Sequence, residues 1–188
     1  LLRPLGEGGM GSVWVAEHLT LQTEVAVKLV LSQLAKDEQA MKRFTTEATA
    51  AAQIKSPHVV QVFDHGIWNG LPYIVMELLE GEDLEGRIAR LGKVPLEDMA
   101  VILKQCSKAL TQAHTLGIVH RDIKPANIYL LSHGDGEIFV KLLDFGIAKR
   151  IAGENFAKTA TGALVGTPFY MSPEQVMEDR MIDFHADL

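Results

Sequence analysis

The sequence predicts an α+β chain in two lobes: a small antiparallel β lobe with a single helix over residues 1–79, and a mostly helical lobe over residues 80–188. Three observations predict it. Short β-branched runs separated by glycine turns crowd the chain before residue 79, one Ala- and Glu-rich helical stretch interrupts them, and from Leu96 to Leu116 apolar residues recur at three- and four-residue steps.

With 188 residues, 47% of them hydrophobic, the chain is long and apolar enough to fold around real cores. A net charge of −6 without a Lys/Arg-rich run disfavours a phosphate-backbone partner, so no nucleic acid is expected. The single cysteine, Cys106, rules out an internal disulfide and reads as a small buried apolar residue of a reducing compartment. No apolar stretch approaches the roughly 18 residues of a membrane span, and no charged-then-apolar leader opens the chain. The segment is therefore expected to be cytoplasmic, with any membrane tether of the parent protein lying outside it.

Leu1 to Leu5 and Ser12 to His18 flank Gly6-Glu7-Gly8-Gly9-Met10-Gly11, giving strand, glycine turn, strand. A dinucleotide-binding Gly-x-Gly-x-x-Gly would open a helix, whereas a second strand follows here. The loop reads as a cover for a triphosphate, its glycines permitting close backbone approach; an ordinary glycine hairpin is the plainer alternative. Val25-Ala26-Val27-Lys28 alternates as the next strand and sets Lys28 on the face opposite Val27. A helix runs from about Lys36 to Ile54 and is broken at Pro57-His58. Val59, Val60, Val62 and Phe63 predict a strand, Asn69-Gly70 a turn, and Tyr73 to Glu77 another strand. The acidic cluster Glu80, Glu82, Asp83 and Glu85 reads as a solvated face. The helix from Leu96 to Leu116 carries Met99, Ile102, Leu103, Cys106, Leu110 and Ala113 on a broad buried face, with Pro95 at its start and Gly117 at its end. His114 on it reads as a packing or surface residue, and no His or Cys spacing suggests a zinc site.

The next segment carries the chemistry. His120-Arg121-Asp122-Ile123-Lys124-Pro125-Ala126-Asn127 puts an acid, a cation and an amide into one tight loop. Asp122 can accept a proton from an incoming hydroxyl, Lys124 can neutralise a transferring phosphoryl oxygen, and Asn127 can offer a carbonyl oxygen to Mg²⁺. Two short strands, Ile128 to Leu131 and Ile138 to Leu143, joined by the polar turn Ser132 to Glu137, then bring Asp144-Phe145-Gly146 back to Asn127, and Asp144 adds a second oxygen ligand. Ile147 to Val165 lacks apolar periodicity, as expected of an adjustable segment.

Together these motifs resemble the protein Ser/Thr kinases of the eukaryotic-like (Hanks) type, and Gly6 to Gly11 with Gly166-Thr167-Pro168-Phe169-Tyr170-Met171-Ser172-Pro173-Glu174-Gln175 is most similar to the bacterial branch. The resemblance covers essentially the whole chain. It implies a protein-kinase-like two-lobe fold with an incomplete large lobe, and transfer of the ATP γ-phosphoryl group to Ser/Thr hydroxyls of proteins, the kinase itself included. ATP and Mg²⁺ are the implied cofactors, with Mn²⁺ as a substitute. It places Gly6, Gly8, Gly11, Val13 and Ala26 around the nucleotide and Lys28 on its α- and β-phosphates. Glu47 is the implied partner of Lys28 on a regulatory helix whose movement gates activity; its plainer reading is a solvated helix charge. Met76 would be the gatekeeper, the Glu77 carbonyl and Leu79 amide the hinge, and Tyr129 the floor under the adenine, where many relatives carry a plainer apolar residue. Asp83 occupies the position that meets the ribose or a basic peptide residue. Thr159 and Thr161 match the threonines that bacterial relatives autophosphorylate, and the Arg121 guanidinium could receive such a phosphothreonine. Lys124 and Thr167 point to Ser/Thr rather than Tyr acceptors. In the family Glu174 pairs with an arginine far downstream and Asp187 begins a central helix that anchors the catalytic loop; that arginine and helix are missing here, so an isolated piece is expected to be a doubtful enzyme. The alternative is an inactive fragment, or a nucleotide-binding pseudokinase acting as an interaction module.

Overall fold

The computed structural model describes residues 1–8, 11–30, 38–132, 136–145, 168–177 and 182–188, which fall into two compact units. The first takes its described residues from 1–53 and 61–79. It contains β1 (Arg3–Gly8), β2 (Gly11–His18), β3 (Thr23–Val30), α1 (Glu38–Ala52), β4 (Val62–Trp68) and β5 (Leu71–Glu77). The five strands form one antiparallel sheet in the order β1-β2-β3-β5-β4.

Local chemistry explains its corners. Gly11 sits at φ 143°, and a Cβ there would fall on the Leu29 carbonyl oxygen, so only glycine lets β2 begin this close to β3. Asn69 and Gly70, at φ 49° and 78°, close the β4–β5 hairpin with the two left-handed residues that match strand twist. Helix α1 lays Ala40, Phe44, Ala48 and Ala51 against Val30, Val62 and Ile74. The alanines let the helix approach closely, and the fully buried Phe44 alone contributes roughly 1.5–3 kcal/mol of apolar burial.

The second unit takes in residues 54–60 and the described residues from 80 onward. It contains β6 (Gly81–Asp83), α2 (Leu84–Leu91), α3 (Leu96–Thr115), β7 (Ile128–Ser132), β8 (Ile138–Leu142) and the one-turn α4 (Pro173–Val176). Strands β6, β7 and β8 form an antiparallel sheet in that order. Its core joins Ile102, Cys106, Ala109, Leu110 and Ala113 of α3 to Ile128, Leu130, Val140 and Leu142 of β7 and β8. Burial pushes the Cys106 thiol up to about 11, which keeps it protonated and inert.

Three expectations need correction. The strand expected from Val59 begins at Val62; Val59 instead bridges Leu142 in parallel and Val60 N–H donates to Leu142 O at 3.0 Å, so β-branching announced extended backbone without naming its partner. Leu103 lies off the buried stripe of α3 and is 57% exposed. The acidic cluster is also more than a solvated face. Asp83 caps α2, its Oδ1 accepting from Gly86 N–H at 2.7 Å, and Glu82 accepts from Arg87 Nε at 2.9 Å and Arg90 Nη2 at 2.6 Å. Those two guanidiniums, Arg90 foremost, hold the Glu82 carboxyl below its ordinary range. Among the described residues no helix is long and apolar enough to cross a membrane.

Candidate active site

After Gly117 (φ 72°) ends α3, the chain enters a loop that is shaped by a carboxylate far away in sequence. Asp187, whose side chain has 0% exposure, accepts from the backbone N–H groups of His120 and Arg121, both at 2.7 Å, and from His114 Nε2 at 2.8 Å. These bonds hold Arg121 at φ 63°, a left-handed conformation that costs a non-glycine residue about 1 kcal/mol. Gln175 of α4 adds a bond from its Nε2 to Arg121 O at 2.7 Å, and Arg121 Nη2 donates to Ile182 O at 3.3 Å.

His120 is fully buried and links two segments. Its Nδ1 accepts from Asp122 N–H at 3.3 Å, which leaves the ring proton on Nε2 to donate to Leu143 O at 2.8 Å. The ring packs on Phe145 at 4.6 Å between centroids. Burial pushes the imidazole pKa down, and the neutral ring is the form both hydrogen bonds require.

The expected acid, cation and amide meet. Lys124 Nζ lies 3.1 Å from Asp122 Oδ2, and Asn127 Nδ2 donates to the same oxygen at 2.9 Å and to Asp122 O at 2.7 Å. Both acceptors are oxygens, so the Asn127 amide can be oriented only one way. Its Oδ1 is turned from Asp122 and has no hydrogen-bond partner among the described residues. Leu143 N–H donates to Asn127 O at 2.9 Å, so the residue before Asp144 is tied to Asn127, and Asp144 follows at φ 48°. An amide oxygen and a carboxylate are hard donors that suit Mg²⁺, an ion that completes its shell with waters and substrate phosphates. Among the described residues no group of three or more His, Cys, Asp or Glu could hold a metal ion.

In the first unit, pairing register puts Val13 opposite Lys28 and Ala26 opposite Met76, and strand alternation then sets all four on one face of the sheet. Helix α1 packs on that same face through Val30, Val62 and Ile74, so Glu47 rides on the helix that covers the side from which Lys28 projects. Glu77 is anchored by Gln61, whose N–H donates to Glu77 Oε1 at 2.7 Å and whose carbonyl accepts from Glu77 N–H at 3.0 Å. Gly6 and Gly8 lie on β1, and Leu79 is the last residue of this unit before the chain crosses to the second. In the second unit Tyr129 stands opposite Asp83 and donates its hydroxyl to Gly81 O at 2.9 Å; burial, with Asp83 and Glu82 nearby, raises the phenol pKa.

Gly9 and Met10 of the glycine turn, Gly146, the segment 147–165 with Thr159 and Thr161, and Gly166-Thr167 lie outside the described residues. Sequence reasoning did not foresee the bond of His114 to Asp187, that of Gln175 to Arg121 O, or those of Gln105 to Ile138 O and Val140 N–H. His114 and Gln105 were signalled only as polar side chains beside the buried stripe of α3; Gln175, on a one-turn helix with no buried residue, had no such signal.

The protein kinase domain model matches residues 1–188. The chain is 42% identical over its whole length to the serine/threonine-protein kinase Pkn1 of Myxococcus xanthus and covers 27% of it. It is 39% identical to the serine/threonine-protein kinase PknH of Mycobacterium tuberculosis, again over 100% of this chain and 29% of the relative. Among solved structures, the Mycobacterium tuberculosis PknI kinase domain superposes with a TM-score of 0.78 at 29% identity, covering 98% of this chain and 67% of that one. The chain thus spans under a third of the length of these two curated relatives, and its fold is that of a protein kinase. By the match of the family model along its whole length, this chain belongs to the protein kinase domain family.

Proposed function

We propose that this segment is part of the catalytic domain of an ATP-dependent protein serine/threonine kinase. The carrying observation is the Asp122 carboxylate, held by Lys124 and Asn127 in a loop whose backbone is fixed by Asp187. Protein kinases generally use ATP and Mg²⁺. Mg²⁺, or Mn²⁺ in its place, would neutralise charge on the phosphates when held by Asn127 Oδ1 and Asp144. Lys28, backed by Glu47, grips the α- and β-phosphates under the glycine turn, and the main chain at Glu77 and Leu79 receives the adenine beside Met76, Ala26, Val13 and Tyr129. Asp83, beyond capping α2, meets the ribose or a basic residue of a peptide substrate.

In the reaction the Ser or Thr Oγ forms a bond to the γ-phosphorus, the bond from that phosphorus to the β,γ-bridging oxygen breaks, and ADP leaves. The hydroxyl proton passes to Asp122. A carboxylate is too weak a base to ionise an alcohol in advance, so Asp122 orients the hydroxyl and takes its proton late. Lys124 offsets the charge carried by the phosphoryl oxygens, and most of the rate comes from alignment and this neutralisation. Protein substrates include the kinase itself, at Thr159 and Thr161.

The test is the intact mass of the full-length protein after incubation with Mg²⁺ and ATP, beside its Asp122→Asn variant. Phosphate addition is expected to fall by about 10²–10⁴-fold in the variant, and to shift away from the activation segment in Thr159→Ala/Thr161→Ala. Equal addition by Asp122→Asn, or none by a folded, nucleotide-binding wild type, would reject the reading.

A further inference from the structure

Strand β8 delivers Asp144, yet among the described residues β7 is the one strand paired with it, and an isolated bridge from Val59 to Leu142 is all the β-pairing its other side has. Its other side is sealed without a strand. Gln105 Nε2 donates to Ile138 O at 2.8 Å and Gln105 Oε1 accepts from Val140 N–H at 2.7 Å. His58 Nδ1 then donates to Val140 O at 3.1 Å, Leu142 N–H donates to His58 O at 2.9 Å, and Val60 N–H to Leu142 O at 3.0 Å. From Ile138 O to Leu142 O, each outward backbone group in turn has a partner. The carboxamide of Gln105, donating and accepting across alternate residues, copies the peptide group of a neighbouring strand.

We propose that Gln105 is a positioning residue for Asp144, fixing the register of β8 and with it the place of the metal-binding carboxylate. The inference rests on the proposed role of Asp144 as a metal ligand. The geometric stake is large: one residue of slip moves a strand by about 3.3 Å and turns its side chains to the other face, whereas ligand distances in metal sites hold to within about 0.2 Å. Beyond β8 the chain is fixed at Leu143, by Asn127 and His120. Gln105 fixes the opposite end, at Ile138 and Val140, so Asp144 is aimed by a strand held at both ends.

The experiment uses the full-length protein and its Gln105→Met variant, which keeps side-chain length and loses the amide. Calorimetry measures binding of a non-hydrolysable ATP analogue across a Mg²⁺ titration, and hydrogen exchange reads the Val140 amide. The expected result is a roughly tenfold rise in half-saturating Mg²⁺, the lower end of what outer-shell partners cost a metal site, with faster Val140 exchange and metal-free nucleotide affinity unchanged. An unchanged Mg²⁺ requirement alongside a lowered melting temperature would overturn the proposal and leave Gln105 a merely structural contact. Should Gln105→Met not fold, Gln105→Glu, which keeps the acceptor for Val140 N–H but loses the donor, is read in the same titration against the same expectation. Asp144→Asn separates the two levels. If Asp144→Asn abolishes the Mg²⁺ dependence while Gln105→Met behaves as wild type, only the positioning role fails; if Asp144→Asn also leaves it unchanged, the metal-ligand reading fails and takes this inference with it.

Discussion

His120 shows how one side chain ties the pH behaviour of the fold to its site. Its Nδ1 faces the Asp122 N–H, so a second ring proton would meet a donor, and burial already holds its pKa down. Between that lowered value and the ordinary value near 6.5, the unfolded chain binds a proton that the folded chain does not. Stability contributed by the neutral ring is therefore present above about pH 6.5 and lost as pH falls through this window, by up to about 1.4 kcal/mol per pH unit. Urea midpoints between pH 7.5 and 5.5 should fall more steeply for wild type than for His120→Gln; parallel slopes would sink the idea. At this scale the sequence was readable where chemistry is local. Asp122, Lys124 and Asn127 lie within six residues, and the structure joins them. The His114–Asp187 bond spans 73 residues, and no local pattern encodes it.

At the scale of elements, α2 was missed because its eight residues carry too little periodicity to stand out beside their charges. Its ends were written in the sequence all the same: Asp83 supplies the N-cap, and Gly92, at φ 75°, donates its N–H to Ile88 O. Removing the cap in Asp83→Ala should cost about 1 kcal/mol in urea unfolding, most of it restored by Asp83→Ser. Nucleotide affinity that falls in both variants would separate the proposed ribose contact from the capping role. The β4–β5 hairpin was legible because a two-residue Asn-Gly turn contains its own instructions.

At the scale of the whole molecule, the described residues cross between units after residues 53, 60 and 79, and propensity alone could not place the first two crossings. Ile54 and Val59 belong to the core of the second unit, although α1 before them and β4 after them belong to the first. Native-state hydrogen exchange in rising denaturant should therefore show the Val60 amide opening with the amides of β8. An amide that opens with β4 and β5 instead would contradict this assignment.

Arg121 and Asp144 have a consequence for how such a sequence persists. Both hold left-handed backbone without being glycine, Asp144 at lower strain because a short polar side chain tolerates it. Glycine at either position would keep the backbone bonds and relieve the strain. Neither residue is without further partners, however, the Arg121 guanidinium on Ile182 O among them, so a glycine that relieved the backbone would also give up side-chain interactions, and the strained residue persists on the balance of the two.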